Sequence, residues 1–382
     1  MRALLQFTMI GLLLCNGMAR ATSFFPYAEC CVTDSKGQYY VVVKRKDKAG
    51  EISDYGPVTI TVAEIAKGSL AVQPAIATNK DGESFLATVD EKIRVREGDT
   101  VHGQFELDVP PGRILVSSKG IVTLDVYGFN EGQESIKNAV RVYSLKGALQ
   151  HRIARTEIFD SKTKTQFPRI DGNTWWVGAA WIDEKRDHVV IVGKTPSEKP
   201  DTCPITTLDI RTGKHQSGGI DLIDRAIIER NHAAMVPALE LAMQFKLSGS
   251  KQALPAIIDD KDLLLMARLH AAVLLTKLGD RHGIKLLKDT ALNATTAEAG
   301  DPKYSLRYEV NYAIDQSSIT LGSESLSILK ETLKKNGRTY SSAHVNAFQR
   351  FGKQGVLTLL AIVVDPDSWT TGVVSFTGSL AA

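Results

Sequence analysis

The hydrophobic period of this chain changes once, near Gly218-Gly219, and that change constrains the fold more than any single motif. From about Tyr27 to Lys214 apolar residues recur at every second position. Val58, Ile60 and Val62 alternate with Thr59 and Thr61, Phe105, Leu107 and Val109 with Gln104, Glu106 and Asp108, and Val122, Leu124 and Val126 with Thr123 and Asp125. A period of two puts the apolar side chains on one face of a half-buried strand. Asn79-Lys80-Asp81-Gly82, Ser118-Lys119-Gly120 and Lys146-Gly147 supply the turns, glycine tolerating the positive φ of tight hairpins. Many short strands without a long helical stretch between them predict an antiparallel all-β domain over residues 22–219.

Past that point Leu222, Ile223, Ala226 and Ile227 fall on one face at helical spacing, and helical runs broken by Gly, Pro and Asn continue to about Asp365. Residues 220–382 are therefore expected to form an α-helical domain, and the chain as a whole an α+β multi-domain protein. A length of 382 residues suits two such units.

The first 21 residues read as a secretory signal peptide: Arg2, the apolar run Leu4 to Leu14, and the small residues of Ala19-Arg20-Ala21. The rival reading, a lipid anchor at Cys15, places the bulky Leu14 where such a site needs a small residue. The run is shorter than the roughly 20 apolar residues that span a bilayer. The expected location is therefore secreted or periplasmic. Processing removes Arg2 and Arg20 and no acid, which takes the net charge from +3 to +1. That balance gives no electrostatic basis for binding nucleic acid. The longest later apolar stretch, Val356 to Val364, stops at Asp365-Pro366 and reads as a buried helix, so no membrane span is expected.

Cys30, Cys31 and Cys203 survive processing. Export permits a disulfide, and Cys30 or Cys31 joined to Cys203 would close a long loop, worth about 4–5 kcal/mol in a chain-entropy model. Three buried, unpaired thiols are the alternative. No CxxC or HxxxH spacing calls for a metal, and no cofactor is expected.

Val142 to Gly147 and Leu208 to Lys214 each run from an apolar strand into a short glycine turn. These segments resemble the strand-turn endings of β-propeller blades, and the β half has room for roughly four blades of about 40–50 residues. A two-sheet sandwich competes with this reading. In the helical half, Gly249 is followed by Leu254 and Ile257, and Gly279 by Ile284 and Leu287, at offsets of five and eight. Gly322 with Leu326 and Leu329, and Gly352 with Val356 and Leu359, repeat the pattern at four and seven. From about Ala238 to Val364 the chain thereby resembles HEAT-like repeats of the short phycobilisome-lyase type, with departures at the polar insert Ala294 to Pro302. The resemblance implies a scaffold that presents surfaces to protein partners, and it carries no lyase chemistry over.

Catalytic signals are sparse. No GxSxG, HExxH, P-loop or GxGxxG run occurs, and none of the eight histidines stands at metal-ligand spacing to another. His102, His188 and His282 read as surface or capping residues. The letters of Asn79 to Glu83 partly match a calcium loop, but a hairpin turn explains them with fewer assumptions. The basic run Lys44 to Lys48 reads as a solvated hairpin tip, and Asn293-Ala294-Thr295 is a glycosylation sequon. Trp175, Trp176 and Trp181 are the ligand-binding candidates, as a strand face able to stack on a sugar or a partner side chain. These features together predict a non-catalytic, exported protein-binding or scaffolding protein whose catalytic residues, if any, are unknown. An exported enzyme or carbohydrate-binding module acting through the tryptophan strand is the alternative.

Overall fold

The computed structural model describes residues 30–34, 36–45, 57–67, 75–78, 84–87, 94–108, 111–125, 127–128, 137–159, 167, 169–170, 173–194, 203–292, 307–335, 342–355 and 357–358. The signal peptide, the Asn79 to Glu83 loop, the sequon and the stretch after Thr358 lie outside them.

Antiparallel sheets make up the N-terminal part of the described chain and helices the C-terminal part. Three of the sheets are four-stranded meanders. The first joins β1 (Cys30–Thr33), β2 (Tyr39–Arg45), β3 (Val58–Glu64) and β6 (Thr100–Leu107). A separate hairpin of β4 (Ala75–Thr78) and β5 (Ser84–Ala87) interrupts it. The second joins β7 (Arg113–Ser117), β8 (Gly120–Leu124), β10 (Val140–Tyr143) and β11 (Leu149–Ile153). The third joins β14 (Val177–Asp183), β15 (His188–Gly193), β16 (Ile205–Asp209) and β17 (His215–Gly218). A ribbon of β9 (Tyr127–Gly128), β12 (Arg169–Ile170) and β13 (Asn173–Trp175) completes the described strands.

The meanders are layered in chain order. Val41, Val43, Ile60 and Val62 of the first sheet share a core with Ile114, Val116 and Ile121 of the second. The opposite face of the second sheet, with Val122, Leu124, Val140 and Val142, packs on Ala180, Ile182, Val189, Ile191 and Leu208 of the third. The middle sheet is therefore buried on both faces, and β8 is buried at every residue. Thr123, the polar position between Val122 and Leu124, is buried as well, because a sheet covered on both sides hides both faces of its strands. Strand β7 touches β1, β2 and β14, so the first strands of the three meanders lie side by side.

The two glycine turns singled out in the sequence occupy equivalent places. Each joins the third and fourth strands of its meander, and each leans on the fourth strand of the meander before it. Gly147 lies against Gln104 of β6, while the carbonyl of Arg211, beside Gly213, is 2.9 Å from His151 Nε2 on β11. In place of the roughly four blades expected, the described residues form three four-stranded meanders.

After one short helical turn at Arg155–Ile158 within the β part, the C-terminal helices begin three residues after β17. They are α1 (Asp221–Ile228), α2 (Met235–Gln244), α3 (Leu254–Asp259), α4 (Leu265–Lys277), α5 (Ile284–Leu292), α6 (Arg307–Thr320), α7 (Ser325–Lys335) and α8 (Ser342–Arg350). Contacts follow the chain. α1 packs on α2, α3 on α4, α5 on α6 and α7 on α8, while α2, α4, α6 and α8 touch one after another as a row. Of the apolar positions counted from glycine, Leu254, Ile257, Ile284, Leu287, Leu326 and Leu329 are buried, while Val356 and Leu359 lie outside the described residues.

No gap separates the two parts. Trp181, Val190, Val192 and Ile205 on the outer face of the third sheet enter the same core as Leu222, Ile223 and the inner residues of α2 to α6. Arg186, in the β14–β15 turn, reaches both Glu229 carboxylate oxygens beyond α1, at 2.8 and 3.0 Å. Asn231 donates to the Ile182 carbonyl at 2.8 Å.

Candidate functional site

Burial decides what the tryptophan strand can do. Trp176 and Trp181 are each 1% exposed. Trp176 turns into the core between the second and third sheets, edge-on to Phe159, and its indole N–H donates to the Asp125 carbonyl. Trp181 points the opposite way, into the helices. A ligand platform made of these two indoles is thus corrected by the structure: both serve as core. Trp175 ends β13, and its side chain is outside the described residues. Strict alternation also misplaces Val177, which shares the face of Trp176. The pairing of β14 with β15 skips Gly178, and this extra residue rephases the strand.

Several described histidines are held at the surface by specific partners. His102 Nε2 is 2.6 Å from Glu64 Oε2, His188 is 3.9 Å from Asp209, and His282 is 3.0 Å from Asp259. His270 differs, being 2% exposed inside α4. Its Nε2 stands 3.5 Å from Oε1 of Glu240 on α2, and the Tyr312 ring of α6 meets it edge-on at 4.6 Å. Burial pushes the imidazole pKa down to about 3. Residues 240, 270 and 312 come from three helices, so spacing along the chain could not reveal the cluster. The one signal was a histidine inside the otherwise apolar run from Leu269 to Leu275.

Cys30 and Cys31 lie in β1, and Cys203 stands just before β16 with a free thiol. Its Sγ faces the Gly193 carbonyl at 3.9 Å, and burial pushes its pKa up to about 12, which makes it a poor nucleophile. Among the described residues no group of three or more His, Cys, Asp or Glu is placed to hold a metal. No described helix is long and apolar enough to cross a membrane.

The helical part offers instead a continuous edge of linked loops. Lys251, in the loop after α2, donates to the Leu278 carbonyl in the turn after α4 at 2.9 Å. Arg281, in that turn, pairs with Glu324 in the turn after α6 at 2.8 Å, and Lys288 of α5 reaches the same carboxylate at 3.0 Å. These two cations hold the Glu324 carboxyl below the usual range. Between the other ends of the helices, Arg230 pairs with Asp260 at 3.0 Å. Each contact ties one helical pair to the next and fixes the pitch at which they stack.

No family model matches the chain, and no curated protein matches it. Among solved structures it is similar to a crystal structure titled HIRA(644-1017), at 9% identity over 76% of this chain and 93% of that one. The TM-score of 0.25 is too low to support an argument about fold or function.

Proposed function

We propose that this chain is an exported, non-catalytic scaffold that binds other proteins through its helical part, with the layered sheets as a rigid base. The observation that carries the reading is the order of helix contacts. Adjacent pairs touch, and α2, α4, α6 and α8 form a row in chain sequence. A helical hairpin alone cannot bury its apolar face, and stacked hairpins share a core while presenting an extended surface. The HEAT-like reading rests on this order and on the recurring turn after each helix of the row. A blade-like reading of the sheets rests on the equivalent glycine turns at Gly147 and Gly213 and on the adjacent first strands. The secretory leader supports release from the cytoplasm into the medium or periplasm.

Capture experiments test the proposal. The mature chain, residues 22–382, is photo-cross-linked in an extract of its own compartment and the adducts are mapped. The proposal expects a specific protein cross-linked to the loops around Lys251, Arg281 and Glu324. Recovery of no partner, together with hydrolase activity that survives purification, would overturn it.

A further inference from the structure

We propose that Glu240, His270 and Tyr312 form an acid-sensitive latch across α2, α4 and α6, which closes while His270 is neutral and opens when it takes up a proton. The three side chains come from three successive helices of the row, so the cluster sits where those helices meet. His270 is 2% exposed, whereas the Glu240 side chain beside it is 42% exposed and reaches solvent. The imidazole can offer Nε2–H toward Glu240, but Nδ1 is buried with no hydrogen-bond partner. Neutral imidazole tolerates this, because Nδ1 is then only a lone-pair acceptor. Protonation converts Nδ1 into a second donor and charges a ring that water does not reach. The charged form gains a hydrated environment only if the ring moves out toward Glu240, and that movement separates α4 from α2 and from the Tyr312 ring.

No other helix packed on α4 supplies compensation from its buried side chains. Those of α3 are Leu254, Ile257 and Ile258, and those of α5 are Ile284, Leu287, Thr290 and Ala291, none of them ionisable. Among the described residues, the titratable groups seen against the ring are Glu240 from α2 and Tyr312 from α6. Proton uptake sets the sign of the pH dependence. An opened ring titrates near 6.5 and the closed ring near 3, so between those values the open form binds more protons. The closed form is fully stable above about pH 6.5 and loses stability as pH falls toward 3. Between pH 7 and pH 5 opening increases roughly 25-fold.

Hydrogen exchange of the full chain at pH 7 and pH 5, corrected for intrinsic exchange rates, tests the latch. The expected result is roughly 25-fold less protection at pH 5 in α2 and α4, with the first sheet unchanged and the loss abolished by His270→Phe. Equal protection at both values, or the same loss in the variant, would overturn it. Should His270→Phe fail to fold, NMR titration of His270 in the unmodified chain decides. A closed-state ring still neutral at pH 5 supports the latch, and a midpoint near 6.5 contradicts it.

Discussion

Lys246 and Gly279 occupy the same place in successive helical turns, each the second residue past the end of its helix and each with positive φ, 55° and 83°. In both turns a backbone N–H one residue further on closes back onto the helix, Leu247 to the Ala242 carbonyl at 2.9 Å and Asp280 to the Leu275 carbonyl at 3.1 Å. Gly322 and Gly352 stand at the same position after α6 and α8. Lysine is there in the first of these turns at the cost of left-handed strain. Lys246→Gly is expected to raise stability by about 0.5–1 kcal/mol. Gly279→Ala should lower it by about 1 kcal/mol, purely through φ, because a Cβ there meets nothing within 4 Å. Denaturant midpoints of the two variants check this, and equal and unchanged midpoints would contradict it.

These turns also mark how much of the fold was legible in the sequence. Glycine spacing pointed to Gly249 as the first member of the series, but the structural counterpart is Lys246, which no glycine search finds. Gly249 serves a different need: it lies against Asp224, whose carboxylate accepts the Ser250 N–H at 2.9 Å. The buried leucines and isoleucines after each turn were legible because burial of one helix face imposes a local period. The alternation of Val58, Ile60 and Val62 was legible for the same reason, and all three are buried at 0% exposure. Trp176 and Trp181 could not be assigned from sequence, since an apolar strand covered on both faces looks like one with an exposed aromatic face. The Glu240–His270–Tyr312 cluster depends on how helices stack, information absent from any short window.

Burial of both indoles makes a second prediction. Trp181→Ala removes a side chain from the seam between the third sheet and the helices, and Trp176→Ala one from between two sheets. Each should cost about 3–5 kcal/mol. Neither indole should respond to oligosaccharides. Chemical denaturation and single-tryptophan fluorescence test this, and a Trp181→Ala protein of undiminished stability would contradict it.

Cys203 is expected to resist alkylation in the folded chain. With its thiol pKa near 12, little thiolate exists at pH 8. Iodoacetamide labelling followed by peptide mass mapping should mark Cys203 only after denaturation. Rapid labelling in native buffer would contradict the burial shown.

Arg186 and Glu229 bridge the β14–β15 turn and the end of α1, and the pair holds the Glu229 carboxyl down to about 2. Both side chains remain partly exposed, at 36% and 24%, so solvent screens much of that interaction. A double-mutant cycle with Arg186→Ala and Glu229→Ala should return a coupling of no more than about 1 kcal/mol, falling further in 1 M salt. A coupling insensitive to salt would contradict this screened description.

Stacking in chain order is the feature on which the scaffold reading depends, and shortening the chain measures it most directly. Ending the protein after Leu321 removes α7, α8 and the remaining C-terminal residues. If each pair contacts mainly its neighbours, sheets and α1 to α4 should keep native hydrogen-exchange protection, with losses confined to α5 and α6, which α7 covers in the full chain. Global loss of protection through the sheets would show one indivisible core and contradict the stacked array.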